Sequence, residues 1–332
     1  MNDTVCIYGA RIIHRHLGAM QVEIDGVRES KDIEYVHRLR VASRRMRSAL
    51  SLFSSCFYKQ DYQRISKDIR AVTRALGEAR DTDVQVEALL KEEPKFASAR
   101  LSPGFKRLIM RSQQRRVGLQ AEVIVAMDQL QADQVLEKLA DLTAPMADKA
   151  SSVYLFSPGL YVKAYDGIQT QIDELFKHET YIHDPANILE LHAMRISAKR
   201  LRYSMEAFED LYQDPIKPFI SEVKKLQDAL GLVHDLDVWI SFVPAFIEEE
   251  RQRILAYFGH EGPLKRLLPG LNAFTESRKA MREDAYAEFI KLWDAQSEAK
   301  LWEKFKRLIT TPINLENAMP AVAVDDAPEE PQ

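Results

Sequence analysis

Residues 36–47 read VHRLRVASRRMR and residues 191–202 read LHAMRISAKRLR, and the two stretches align at a constant spacing of 155 residues. In that register His37, Arg40, Arg44, Arg45 and Arg47 match His192, Arg195, Lys199, Arg200 and Arg202. At 100° per residue, His37, Arg40, Arg44 and Arg47 fall within an arc of about 80° of one helix. The opposite arc carries Leu39, Met46, Leu50 and Phe53, and in the second copy Met194, Leu201, Met205 and Phe208. Each stretch is therefore an amphipathic helix with an apolar stripe and a cationic rail. Like charges three and four residues apart cost a helix about 0.2–0.5 kcal/mol per pair, and no acid within either stretch relieves that cost. Two acid-free copies in register point to an anionic ligand rather than to an ordinary solvated face.

Working outward, LGEARDTDV at 76–84 matches LGLVHDLDV at 230–238 at a spacing of 154, and VLEKLADL at 135–142 resembles LWEKFKRL at 301–308 at a spacing of 166. The growth in spacing implies an insertion in the second half. Two homologous helical units of about 150 residues follow, the first over about 5–150 and the second over about 160–310, joined by a linker near 150–159. Amphipathic stretches rich in Leu, Ala, Glu, Lys and Arg make the fold class all-α. Helices are predicted over 5–28, 32–55, 59–77, 81–92, 104–128, 132–150, 160–178, 187–212, 216–230, 235–256, 264–296 and 299–310. Asp32 is expected to start the second helix, Gly77 and Gly231 to end helices, and Pro94, Pro103, Pro158, Pro185, Pro215 and Pro263 to fall between them. From Pro312 to Gln332 the acidic, Pro/Ala-rich composition predicts a disordered tail.

The global balance hides the rails. The 332 residues include 46 Lys+Arg and 50 Asp+Glu, a net charge of −4. Since the two stretches hold nine of the positive charges and no acid, the rest of the chain carries −13. The relevant charge is local, a basic channel in an acidic shell. Cys6 and Cys56, fifty residues apart without CxxC spacing, argue against a disulfide framework or a structural zinc site and suggest a reducing setting. With no uninterrupted apolar run of about 18 residues and no signal-like start, the expectation is a soluble, cytoplasmic protein that does not engage a membrane.

Further basic positions extend the pattern: Lys67, Arg70 and Arg74 share a face, Lys224 and Lys225 hold the related place in the second unit, and Arg107, Arg111 and Arg115 follow at i+4 intervals. Arg278 and Arg282 repeat that last spacing. Arginine's planar fork matches phosphate oxygens in pairs, so phosphate is the anion these residues suit. Near phosphate the two motif histidines are expected to favour the imidazolium form, with binding that strengthens as pH falls. Asp81 with Asp83 and Asp235 with Asp237 offer a foothold for a divalent cation, although helix capping or salt bridging is the simpler role. No P-loop, GxSxG or HExxH is present and no nucleophile or base can be named, so a non-catalytic binder is expected, with no metal and no cofactor. Nucleic acid is the competing polyanion, but the rails lack interleaved aromatics for base stacking and the bulk of the chain is acidic. The same rails and DxD pairs would also suit a metal-assisted phosphohydrolase, an accessory protein to one, or a scaffold for acidic protein partners.

The paired motifs, VHRLRVASRRMR with LGEARDTDV and LHAMRISAKRLRY with LGLVHDLDV, resemble those of the CHAD family, the conserved histidine α-helical domain, over the chain to about residue 311. The resemblance implies two pseudo-symmetric four-helix-bundle units around a basic central groove or pore that binds inorganic polyphosphate, often at polyphosphate granules. It carries over to His37, Arg40, Arg44, Arg45, Arg47, His192, Arg195, Lys199, Arg200 and Arg202, and with them Arg70, Lys224 and Lys225. The second unit departs from the first where Arg74 becomes Asp228 and Arg80 becomes His234, so unequal charge from the two halves is expected. A segment around 256–270 has no counterpart in the first unit, and no ExExK motif of the triphosphate-tunnel hydrolases is visible.

Overall fold

The computed structural model describes residues 3–30, 32–151 and 156–318, with backbone alone described for 150, 151 and 313–318. Among the described residues the regular structure is helical throughout. In chain order the helices are α1 (Asp3–Gln21), α2 (Ile24–Glu29), α3 (Ile33–Leu52), α4 (Lys59–Glu92), α5 (Ser102–Ala132), α6 (Val135–Ala147), α7 (Pro158–Phe176), α8 (Ile188–Ala207), α9 (Glu209–Tyr212), α10 (Lys217–Phe258), α11 (Leu264–Glu298) and α12 (Leu301–Ala318). Asp32 caps α3 as expected, its carboxylate accepting from the Glu34 N–H at 2.8 Å. The stripes behind both rails are core, with Leu39, Met46, Leu50, Phe53, Met194, Leu201, Met205 and Phe208 all buried.

The element order recurs. Helix α1 packs on α3, α3 on α4 and α4 on α5, while α7 packs on α8, α8 on α10 and α10 on α11. The rail helices α3 and α8 meet at the centre, where Tyr8, Phe53 and Phe208 form a ring cluster with centroids 5.8–6.2 Å apart. A second, smaller core lies where α5 crosses α11, and it holds Phe96, Phe105 and Phe274. The crossing is close enough that a Cβ on Gly104 would sit 2.0 Å from the Leu267 carbonyl oxygen, and one on Gly270 2.0 Å from that of Leu101. These reciprocal glycines are 166 residues apart, the spacing of the third sequence match.

Several sequence expectations are corrected. Gly77 and Gly231 do not end helices, because α4 and α10 run through them for 34 and 42 residues. A mid-helix glycine costs about 1 kcal/mol relative to alanine. Here each lies against a rail guanidinium: a Cβ on Gly77 would be 3.8 Å from Arg40 Nε, and one on Gly231 3.6 Å from Arg195 Nε. Asp81, Asp83, Asp235 and Asp237 are consequently helix-interior residues, not N-caps. The segment around 256–270 belongs mainly to a longer helical hairpin, with α10 running to Phe258 and ending on Gly259 in the left-handed conformation. The 5–28 segment breaks at residues 22–23 into α1 and α2. Helix α12 continues past Pro312 to Ala318, so the start of the expected tail is helical and residues 319–332 lie outside the described residues.

Cys6 and Cys56 are joined in a disulfide, with Cα atoms 5.4 Å apart, contrary to the expectation drawn from their spacing. The absence of a CxxC pattern is uninformative for a bridge between helices; what matters is that the end of α3 returns to the start of α1. The expectation that no segment could span a bilayer also needs qualification. Helix α10 and its lead-in contain an 18-residue window of mean hydropathy 1.5, sufficient by length and composition, in a helix whose Val223, Leu226, Leu230, Val233 and Leu236 are buried in the main core.

Candidate functional site

Helices α3, α4 and α8 enclose a cavity of about 670 Å³. Six cations line it: Arg40, Arg44 and Arg47 from α3, Arg70 from α4, and Lys199 and Arg200 from α8. Its other lining residues are Ser48, Ser51, Leu52, Tyr62, Ser66, Thr73, Gln171, Ile196, Tyr203 and Ser204, with no carboxylate among them. The rails explain the convergence, since the apolar stripes of α3 and α8 press into the common core and the residues on the other arcs turn toward the gap. Arg40 Nε and Ser66 Oγ, both donors, are buried without a protein partner.

The cations repel one another. Burial, then the charges of Arg44, Arg195, Arg40 and Arg200, push the Lys199 amine down to about 7. Arg44 is lowered by burial and by Arg40, Arg195 and Arg202, and Arg47 by burial and by Arg70 and Arg200. Groups held in this way gain when an anion enters, because the ligand supplies the opposite charge that the protein withholds. The nearest internal relief is partial: Arg40 reaches Asp81 at 3.1 Å, and Arg44 stands 5.6 Å from the centre of the Tyr203 ring.

In the ligand-free protein the motif histidines are held back from the imidazolium form that a bound phosphate would favour. His37 is lowered by burial and by Arg80, and His192 by burial and by Arg195 and Lys199. His192 Nδ1 lies 3.0 Å from Nδ1 of His234, which is pushed down to about 4 by burial and by His192 itself. Burial, and after it the neighbouring positive charges, therefore keeps these imidazoles neutral near pH 7.

Other sequence candidates are placed elsewhere. Arg45 bonds Glu206 at 3.1 Å, and Arg202 bonds Gln227 at 2.9 Å and also pairs with Glu206. Arg107 and Arg111 both bond Glu250, at 2.8 and 2.7 Å, a fully buried carboxylate in the part of α10 that outruns α4. They fasten the extra helical length of the second half. Arg278 is buried on Glu92 at 2.5 Å, and Arg282 holds Asp237 at 2.9 Å. Lys224 pairs with Asp228 and Lys225 with Glu222 on their own helix, at 2.8 and 2.7 Å. Lys67 and Arg115 are exposed outside the cavity lining, and Arg74 lines a groove between α4 and α5. His37, His192 and Arg195 are half-buried on the two rail helices and are not among the residues that line the cavity.

Sequence reasoning missed Arg116, whose Nε donates to Asp83 at 2.6 Å as Arg282 does to Asp237. Arg116 and Arg282 are 166 residues apart, so the third register would have found it, whereas matching Arg111 and Arg115 to Arg278 and Arg282 was out of phase. The second aspartate of each DxD thus ties α4 to α5 or α10 to α11. The first faces the rails: Asp81 pairs with Arg40, and Asp235 lies in the field of Arg195, Asp81 and Arg40. Among the described residues no group of three or more His, Cys, Asp or Glu is arranged to hold a metal ion. The neutral donors Ser48, Ser51, Ser66, Thr73 and Ser204 carried no sequence signal of their own.

Fold and cavity together define an all-helical protein of two similarly ordered halves, with an acid-free cationic cavity between the rail helices. The family model of the CHAD domain matches residues 11–244, and the chain belongs to that family. The crystal structure of the CHAD domain from the plant Ricinus communis is similar, with a TM-score of 0.60 at 22% identity over 88% of this chain and 92% of that one. PptA from Streptomyces chartreusis is similar at TM-score 0.56 and 14% identity, over 87% of this chain and 99% of that one. No curated protein sequence matches the chain.

Proposed function

We propose that this CHAD-domain protein binds inorganic polyphosphate without hydrolysing it, in the cavity between α3, α4 and α8. The observation that carries the reading is the gathering of Arg40, Arg44, Arg47, Arg70, Lys199 and Arg200 around one space with no carboxylate in its lining. A guanidinium–phosphate pair at 4 Å is worth about 4 kcal/mol at an effective dielectric near 20, before desolvation. Several such pairs in series suit a slender chain of repeating anions, and the hydroxyls of the serines and Thr73 add neutral donors to its oxygens. The family resemblance supports polyphosphate as that chain. A non-catalytic role is supported by the engagement of the DxD carboxylates: Asp81, Asp83 and Asp237 are each paired with an arginine, which opposes their recruitment to a cation. Association with polyphosphate granules in a cytoplasmic setting belongs to the same proposal.

The deciding experiment is calorimetric titration with polyphosphates of defined length at several salt concentrations, with excess duplex DNA or RNA as competitor. Saturable binding that weakens with salt and resists nucleic acid is expected. Efficient displacement by nucleic acid overturns the selective-binder reading, and chelator-sensitive release of phosphate overturns the non-catalytic one.

A further inference from the structure

The basic cavity has a counterpart. When the registers of 155 and 154 are applied to its lining, Arg47, Ser51 and Arg200 map onto Arg202, Glu206 and Arg45, and Gln171 and Ser66 map onto His16 and Ile220. His16, Arg45, Glu206 and Ile220 line a second cavity on the other side of the α3–α8 pair, and its volume is only about 230 Å³. Tyr203 lines both cavities and forms part of the wall between them.

Two carboxylates, Glu206 and Glu209, line the smaller cavity where the larger has none, and Glu206 is the one paired with rail arginines. Ser51 in the large cavity is neutral, whereas its counterpart Glu206 is a half-buried carboxylate that holds Arg45 at 3.1 Å and pairs with Arg202. Arg45 and Arg202 are the counterparts of Arg200 and Arg47, which face the large cavity with no carboxylate partner there. We propose that Glu206 takes, as a fixed internal anion, the place a phosphate would take in the second half, and so confines the bound polyanion to the first-half cavity. Glu206 is thereby a specificity-determining residue for the length of chain the protein holds. His16, beside Glu206 in that lining, is pushed down to about 4 by burial, then by Arg45 and Arg15, so it adds no charge of its own near pH 7.

This inference rests on the polyphosphate reading, and the test separates the two. Polyphosphates of graded length are titrated into the wild-type protein, Glu206→Ser, which restores the residue of the first half, and Glu206→Gln, which keeps the side-chain volume if the serine variant does not fold. Wild type is expected to stop gaining affinity at a short chain length. The variants are expected to go on gaining with longer chains, to occlude more phosphates per protein, and to steepen the slope of log K against log salt by about one to two as Arg45 and Arg202 are freed. Folded variants with the length dependence and salt slope of wild type overturn the role of Glu206 while leaving the polyphosphate reading intact. Absence of binding by wild type overturns both.

Discussion

The two cavities that flank α3 and α8 arise from the same helix pair and the same sequence motif, yet one presents six cations without an acid and the other, about a third of its volume, is lined by Glu206 and Glu209 beside Arg15 and Arg45. The same helix order and motif recur in both halves, but the acid-free cationic lining is present on one side. Ser51 against Glu206, Ser66 against Ile220 and Gln171 against His16 are among the substitutions that distinguish them. The lesson is that the charge of a site is set by which carboxylates reach it as much as by how many arginines its helices carry.

The largest effect should come from reversing charge in the open half. Arg44→Glu with Arg47→Glu is expected to weaken polyphosphate binding about a thousandfold, roughly 4 kcal/mol, while Arg202→Gln, on the Glu206 side, changes it by less than about threefold. Titration of both proteins checks this, and equal losses would break the distinction between the cavities.

The halves also differ in how they are braced. Cys6 and Cys56 are bonded, whereas their counterparts are Tyr161 and Leu211, where the Tyr161 hydroxyl meets the Leu211 carbonyl at 3.5 Å. Reducing the bond, or replacing both cysteines by serine, should lower stability by about 2–4 kcal/mol, because it frees a loop of fifty residues in the unfolded chain. Denaturant unfolding with and without reductant reads the difference.

Where the halves are alike, they should respond alike. Gly104→Ala and Gly270→Ala each drive a methyl into backbone and are expected to cost about 1–3 kcal/mol apiece. Gly118→Ala, in the same α5 but with open space at the Cβ position, should stabilise by up to about 1 kcal/mol. Thermal melts of the three variants sharpen the comparison, and a marked difference between the first two would break the equivalence of the crossing.

The last effect is that of pH, and it is gradual. In the free protein Lys199 titrates at about 7, and a bound polyanion favours its ammonium form. Affinity should therefore fall as pH rises above 7, by at most tenfold per unit, and Lys199→Arg should flatten the profile. The sign reverses for stability of the ligand-free protein. Its unfolded chain binds the lysine proton with the ordinary affinity and the folded chain does not, so stability should rise as pH increases from 7 toward 10. Melts across that range, with and without polyphosphate, separate the two trends.

Much of the fold could be read in advance because the rail helices carry their instructions locally. Leu39, Met46, Leu201 and Met205 recur at helical spacing, and a stripe of that kind buries itself wherever a partner exists. The helix ends at Gly77 and Gly231 were misread because glycine signals either a left-handed cap or a close approach, and only the neighbour decides which. The neighbour in each case is an arginine more than thirty residues away. The site was legible in part. Arg40, Arg44, Arg47, Arg70, Lys199 and Arg200 do meet, while Arg111, Arg278 and Arg282 meet carboxylates on other helices instead.

From the sequence alone came the all-helical class, the doubled motif and the concentration of positive charge on two helix faces, since periodicity and composition are properties of short stretches. Which arginines remain without a carboxylate, that Cys6 reaches Cys56, and that one cavity is free of acids while its smaller counterpart contains Glu206 were decided by tertiary structure. Those outcomes depend on contacts between residues far apart in the chain, and Coulomb energy falls steeply enough with distance and solvent screening that only the folded arrangement determines which charges compensate one another.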